Sequence, residues 1–301
     1  MRFLNPKTDF AFKKIFGSTE SREILLSFLN AILGLESPYR LSDLTILDPY
    51  SAPKIKGMKD TYLDVKARDE QGKDYIIEMQ VLNVAGFEKR VLYNACKTYA
   101  GQIGKGDDYH LLTETIAITI TDFVMFSAKE MPEVVNKFKL RAEAGRVYSD
   151  DLELVFAELP KFDKGERELE TVLDRWFYFL KTAGDLTAIP DALQVEPAIV
   201  HAFDIANKCG LSPEELDDQE RREIFIQDQR GAITLAEQRG EKRGEELGEK
   251  RGEQQERLRI AESFLDLIED DTLIAERTGL PVEMVGELRR RAARGSSVPG
   301  Q

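Results

Sequence analysis

What most constrains this chain is a pair of short runs, Thr61-Tyr62-Leu63-Asp64-Val65-Lys66-Ala67 and Asp74-Tyr75-Ile76-Ile77-Glu78-Met79-Gln80, with Asp69-Glu70-Gln71-Gly72-Lys73 between them. Both runs are rich in β-branched and aromatic residues, and the connection carries turn chemistry with a glycine for positive φ, which together predict a β-hairpin. Register then decides which side chains meet, because a slip of one residue sends every side chain to the other face. With the loop centred on Gln71, Asp64 lies opposite Glu78 and Tyr62 opposite Gln80. Directly opposed side chains share a face with Cβ atoms roughly 5 Å apart. Gln80 joins Glu78 on that face, while Ile77 and Met79 point to the other. Like charges opposed among apolar strand residues are destabilising unless a cation lies between them. The alternative is an ordinary polar, solvent-facing side of an amphipathic sheet.

The flanking sequence supplies the layers around the hairpin. Thr8 is placed as an N-cap and Gly17 as the stop of a first helix, which sets Asp9 and Lys13 one turn apart on one face and Phe12 and Phe16 on a neighbouring apolar stripe. A second helix from about Glu20 to Leu33 buries Ile24, Leu25, Phe28, Leu29 and Ile32 and ends at Gly34. Leu44 to Leu47 reads as the first strand, and the segment from about Gly86 to Ile103 as a helix. Ile116 to Ile120 is an apolar run suited to a buried strand reached by a helical crossover, and Leu152 to Leu159 adds a further strand.

These segments resemble a known superfamily. An aspartate followed one hairpin later by Glu-x-Lys or Glu-x-Gln is the signature of the PD-(D/E)xK nucleases, and one branch is closer still. Asp9, Phe12, Lys13, Phe16 and Gly17 resemble the Asp-x-x-Phe-Lys-x-x-Phe-Gly opening of the Rpn (recombination-promoting nuclease)/transposase family. Leu63-Asp64-Val65 and Ile77-Glu78-Met79-Gln80 resemble its central motifs, and Arg90, Tyr93, Tyr99, Gly106 and Tyr109 continue the match to about residue 125. The resemblance implies an α/β fold: a restriction-endonuclease-like αβββαβ core with a mixed sheet, followed by a helical C-terminal region. It implies a Mg²⁺-dependent endodeoxyribonuclease, with Mn²⁺ as a substitute, that hydrolyses phosphodiester bonds in recombination or in mobile-element or foreign-DNA processing. In that reading Asp64, Glu78 and the backbone carbonyl of Met79 hold the metal, and Asp9 assists from the first helix. Gln80 stands where most of the superfamily has lysine. A lysine donates a charged hydrogen bond to developing negative charge, whereas glutamine offers a neutral dipole, which leaves Lys13 and Lys66 as candidates for the missing charge.

Composition bounds this reading. A net charge of −13 predicts weak, salt-sensitive binding to DNA unless basic residues cluster. They gather around the hairpin at Lys54, Lys56, Lys59, Lys66, Arg68, Lys89, Arg90 and Lys97, and the expected DNA contacts are Lys13, Lys56, Lys59, Lys66 and Arg90. The only histidines, His110 and His201, have no helical ligand partner, which argues against His-based hydrolysis. Cys96 and Cys209 are too far apart in sequence for a Cys-based zinc cluster; each reads as a small core residue. With no apolar run long enough for a bilayer and no signal-peptide pattern, the expected location is the cytoplasm.

The expected organisation is a nuclease-like domain over residues 1–160, a helical extension over 161–230, a charged Gly-repeat helix or linker over 231–257, a small helical hairpin over 258–294 and a disordered tail over 295–301. Gly240, Gly244, Gly248 and Gly252 recur at a four-residue period, with Ala236 extending the stripe. Each glycine costs a helix interior about 1 kcal/mol relative to alanine, so a helix here needs a packing partner. That points to a homo-oligomer, a dimer through C-terminal helices. The competing functional reading is a catalytically weak, oligomeric DNA- or protein-binding module that keeps the nuclease fold.

Overall fold

The computed structural model describes residues 2–51 and 61–295. The chain divides into two compact units, Met1–Gln229 and Arg230–Gln301. In the first, α1 (Asp9–Phe16) and α2 (Arg22–Leu33) lead into strands β1 (Leu44–Leu47), β2 (Tyr50–Ser51), β3 (Thr61–Tyr62), β4 (Val65–Asp69) and β5 (Asp74–Gln80). Next come α3 (Phe87–Ala100), β6 (Thr115–Thr121), β7 (Val135–Arg141), β8 (Val147–Glu158), α4 (Val172–Thr182), α5 (Asp191–Gln194), α6 (Pro197–Ala206) and the start of α7 (Pro213–Phe264), whose remainder belongs to the second unit. A mixed six-stranded sheet runs in the order β1-β4-β5-β6-β8-β7. β1, β4 and β5 are antiparallel neighbours, β5, β6 and β8 are parallel, and β7 closes the edge antiparallel to β8. The α1/α2-β1-β4-β5-α3-β6 succession is the expected αβββαβ core.

Alternation along the hairpin explains the layers. Val65, Ala67, Tyr75, Ile77 and Met79 face a core shared with Phe12, Phe16 and Phe28 of α1 and α2, Trp176 and Phe179 of α4, and Phe203 of α6. On the other face Ile76 and Ala117 pack with Ala95 of α3. β6 is buried along its whole length, as a parallel strand covered on both faces must be. α4, α5 and α6 therefore share one core with the sheet.

The hairpin register is the expected one: Val65 pairs with Ile77 and Arg68 with Asp74, which centres the loop on Gln71. The turn is built by Asp69, whose Oδ1 accepts the Gln71 and Lys73 amides at 2.9 Å each, and by Gly72 at φ 85°. One expectation fails beyond Asp64. Tyr62 does not face Gln80; it pairs with Tyr50 in a separate two-stranded ladder, drawn there by the Leu63 amide donating to the Pro49 carbonyl at 3.2 Å. Both cysteines, expected in the core, are exposed: α3 turns Val91, Asn94, Ala95 and Thr98 inward instead of Cys96, and Cys209 lies in the short turn Lys208–Gly210 that follows α6.

The second unit contains α8 (Asp271–Thr278) and α9 (Val282–Gly295). Ala261, Leu265, Ile274, Ala275, Leu280 and Val285 form its small core. The glycine repeat lies within α7, and a Cβ added at Gly240, Gly244, Gly248 or Gly252 meets nothing within 4 Å among the described residues. The terminal residues 296–301 lie outside the described residues.

Candidate active site

Asp64 sits at a bend immediately before β4, at the open end of the hairpin. Gly17 lets the end of α1 come close to this bend: a Cβ at that position would sit 2.9 Å from the Lys13 carbonyl oxygen and 3.6 Å from that of Asp64. The Asp64 Oδ2 accepts the backbone N–H of Met79 at 2.9 Å, so the carboxylate substitutes for a ladder acceptor where the chain leaves the sheet. Across the pair, Glu78 Oε1 accepts from Asn94 Nδ2 of α3 at 2.8 Å. Thr8 caps α1 by accepting the Ala11 amide, and the helix delivers Lys13 between two acids. Lys13 Nζ lies 2.7 Å from Asp9 Oδ1 and 3.5 Å from Asp64 Oδ1.

Electrostatics set this cluster apart. Burial pushes the Asp64 carboxyl up to about 7, with the charges of Asp9 and Glu78 adding to it and the Met79 amide and Lys13 opposing it. Glu78 is also raised by burial, against the Asn94 hydrogen bond and the charges of Arg90 and Lys13. Asp9 is only half buried. Burial works to raise it, but hydrogen bonding to Lys13 and the charges of Lys13 and Arg222 outweigh that, and the net direction is down.

Among the described residues the side chains here that could ligate a metal are carboxylates, which suit a hard divalent cation better than zinc or copper. Each of these partly buried carboxylates has, among the described residues, a single neutral donor, and a cation between them would offset the cost of ionising both. Among the described residues no group of three or more His, Cys, Asp or Glu side chains forms a full cage. Mg²⁺ does not need one, since it commonly keeps several waters and is held by one or two carboxylates and substrate phosphate. Asp64 and Glu78 therefore fit the group that the sequence implies.

The remaining expected residues fall differently. Gln80 accepts from Arg90 Nη2 at 2.5 Å and donates to the Leu82 carbonyl at 2.6 Å, so both ends of its amide are engaged away from the acids. Lys66 lies two positions along β4 from Asp64 and forms no ion pair with either carboxylate among the described residues. Lys56 and Lys59 lie outside the described residues. Asn94 and Arg222 are not among the residues that the sequence motifs point to. Asn94 is a polar residue on the apolar face of α3, a signal that was available; Arg222 reaches Asp9 Oδ2 at 2.8 Å from 213 residues away and had no local signal. Gln219 and Glu215 of α7 fasten the same helix, accepting from the buried Thr8 hydroxyl at 3.0 Å and from Lys14 Nζ at 2.8 Å.

An open cavity of about 700 Å³ lies at the opposite, turn end of the hairpin, lined by Asp69, Tyr75, Glu114, Lys137 and Lys139 among others. Its charged groups pair internally, Lys73 with Glu114 at 2.7 Å and Lys139 with Asp150 at 2.7 Å. A family model described as PD-(D/E)XK nuclease family transposase matches residues 6–236. No curated protein and no solved structure matches the chain.

Proposed function

We propose, since the chain belongs to the PD-(D/E)XK nuclease family transposases, that it is a Mg²⁺-dependent endodeoxyribonuclease, active also with Mn²⁺, that hydrolyses phosphodiester bonds of DNA during recombination or the processing of mobile or foreign DNA. The observation that carries this reading is the approach of two partly buried, under-compensated carboxylates, Asp64 and Glu78, at the open end of the hairpin just beyond the Val65–Ile77 pair. They and the Met79 carbonyl would hold the cation. A divalent metal there supplies Lewis acidity toward a phosphate oxygen and a water of lowered pKa. The chain's own groups do the rest: the Met79 amide and Asn94 orient the two carboxylates, and Arg90 meets backbone phosphate beside them. With a net charge of −13, productive binding depends on this local basic surface and falls steeply with salt.

We assign the protein to the cytoplasm, where it acts as a homodimer; the glycine stripe of α7, which meets no neighbour among the described residues, supports the assembly. Deleting residues 230–301 should lower the mass measured by light scattering, and an unchanged mass would sink the dimer. Purified protein should nick or linearise supercoiled plasmid with Mg²⁺ or Mn²⁺, stop with EDTA, and lose activity in folded Asp64→Ala and Glu78→Ala variants. Cleavage by both variants at the wild-type rate removes these residues from the chemistry. A wild-type protein that binds DNA but cuts under no metal condition returns the chain to a binding module.

A further inference from the structure

We propose that Lys13, delivered by α1, is the catalytic cation of this site, taking the part that a lysine at position 80 would play, and that Asp9 and Arg222 are its positioning residues. The inference rests on the nuclease reading above and goes beyond it, because no motif position assigns this part to a first-helix lysine. Hydrolysis at a phosphodiester forms a bond from the oxygen of water to phosphorus as the bond to the leaving oxygen breaks; the water's proton passes to solvent, the leaving oxygen keeps the bonding pair and takes up a proton from solvent, and negative charge builds on the phosphate oxygens. A charged donor beside the metal-holding carboxylates stabilises that charge better than a neutral amide does.

The geometry separates the candidates. Gln80 is spent on Arg90 and on the Leu82 carbonyl, and it carries no charge. Lys66 has no ion pair with the acids among the described residues. Of these three, Lys13 is the one paired with an acid of the site, at 3.5 Å from Asp64 Oδ1, and its ammonium is partly open to solvent, so a substrate phosphate can approach it. A flexible lysine must be held to act at one place. Asp9 does this at 2.7 Å, and Asp9 is itself held by Arg222 at 2.8 Å, with Arg222 tied back to Asp218 of its own helix at 2.9 Å. The Thr8–Gln219 and Lys14–Glu215 contacts fix α1 against the same helix. The result is a chain of alternating charge, Asp64, Lys13, Asp9, Arg222, that begins at the acid pair and ends on α7.

The test uses the full chain, supercoiled plasmid with Mg²⁺ for cleavage, and a labelled duplex with Ca²⁺ in place of Mg²⁺ for binding. Lys13→Met should slow single-turnover cleavage by about 100-fold, with the duplex Kd moving by less than about threefold. Lys13→Arg should keep most of the rate. Adding Gln80→Lys to Lys13→Met should recover at least about tenfold, an effect that a merely structural Lys13 would not allow. Arg222→Ala should lower the rate without altering Kd. Calorimetry with Mn²⁺ alone gives a readout independent of activity: Lys13→Met should bind the metal at least as tightly as wild type, since Lys13 is not a ligand and its charge opposes the ion. The proposal is overturned by wild-type cleavage in Lys13→Met, by a loss that tracks Kd, by failure of the Gln80→Lys rescue, or by loss of Mn²⁺ binding. Wild-type protein that fails to cut, or an active Asp64→Ala, fells the nuclease reading itself, whereas active wild type with an indifferent Lys13 fells only this inference.

Discussion

The two ends of the β4–β5 hairpin carry the same kind of side chain in opposite circumstances. At the turn end Asp69 and Asp74 are buried, and each is fully engaged. Asp69 accepts two backbone amides and the Tyr75 hydroxyl, and Asp74 receives a two-pronged contact from Arg68 at 2.7 and 3.0 Å. At the open end Asp64 and Glu78 are also sheltered from water, but each has one neutral donor, and the nearest cation to Asp64 is 3.5 Å away. Burial of a carboxylate therefore does not distinguish the two ends; the number and charge of its donors does. The turn end is closed chemistry that holds the hairpin's register, and the open end is where the proposed function places the cation.

The sharpest way to break this comparison is to neutralise one acid at each end. Asp64→Asn should remove several kcal/mol of transition-state stabilisation, which is about a thousandfold in cleavage, without lowering the melting temperature. Asp74→Asn should do the reverse, costing about 2 kcal/mol of stability for the half-exposed Arg68 pair while cleavage per folded molecule stays within about threefold. Equal losses of cleavage in both folded variants would erase the distinction.

A smaller effect should appear in the pH dependence of stability measured with EDTA present. The Asp64 carboxyl titrates near 7 in the folded chain and near 4 when unfolded. Between those values the folded chain retains a proton that the unfolded chain has released, so stability falls as pH rises through the window and levels off above it. Glu78, also raised, acts in the same direction. Urea midpoints should drop by the equivalent of up to a few kcal/mol from about pH 4.5 to 7.5, and Asp64→Asn should flatten much of the slope. A wild-type curve that is flat or rising in that interval contradicts the assignment. Saturating Mg²⁺ should restore stability at the alkaline end, since a bound cation favours the ionised pair.

The smallest change sits at the second carboxylate. Asn94→Leu removes the one neutral donor to Glu78 and should cost about 1 kcal/mol, with a cleavage loss of a few-fold rather than abolition. Thermal melts and plasmid assays read both, and a loss as large as that of Asp64→Asn would move Asn94 into the chemistry itself.

The sequence made the hairpin legible because its signals are local. Asp69 and Gly72 set the turn, alternation set the faces, and counting from Gln71 gives the Val65–Ile77 pair, beyond which Asp64 bends out of the ladder yet stays close enough to feel the charge of Glu78. Counting failed one step further, at Tyr62, because alternation cannot register a bend, and the Leu63 amide had already gone to Pro49. The first helix was legible for the same reason: Thr8, Asp9, Lys13 and Gly17 are all within two turns of one another. What stayed hidden depends on tertiary distance. Nothing near Arg222 in the chain announces an aspartate, and the neutral donor on α3 is visible only once β5 lies beneath that helix.

The clamp on Asp9 also has a bearing on time. The acid pair is encoded in the first third of the chain, but the arginine that secures the first helix lies 213 residues beyond its partner. A polypeptide emerging from the ribosome folds from its N-terminal side as it appears, so the carboxylates are made well before Arg222. A nascent or prematurely terminated product would carry the acids with α1 unfastened, and synthesis of the first turns of α7 would complete the proposed site.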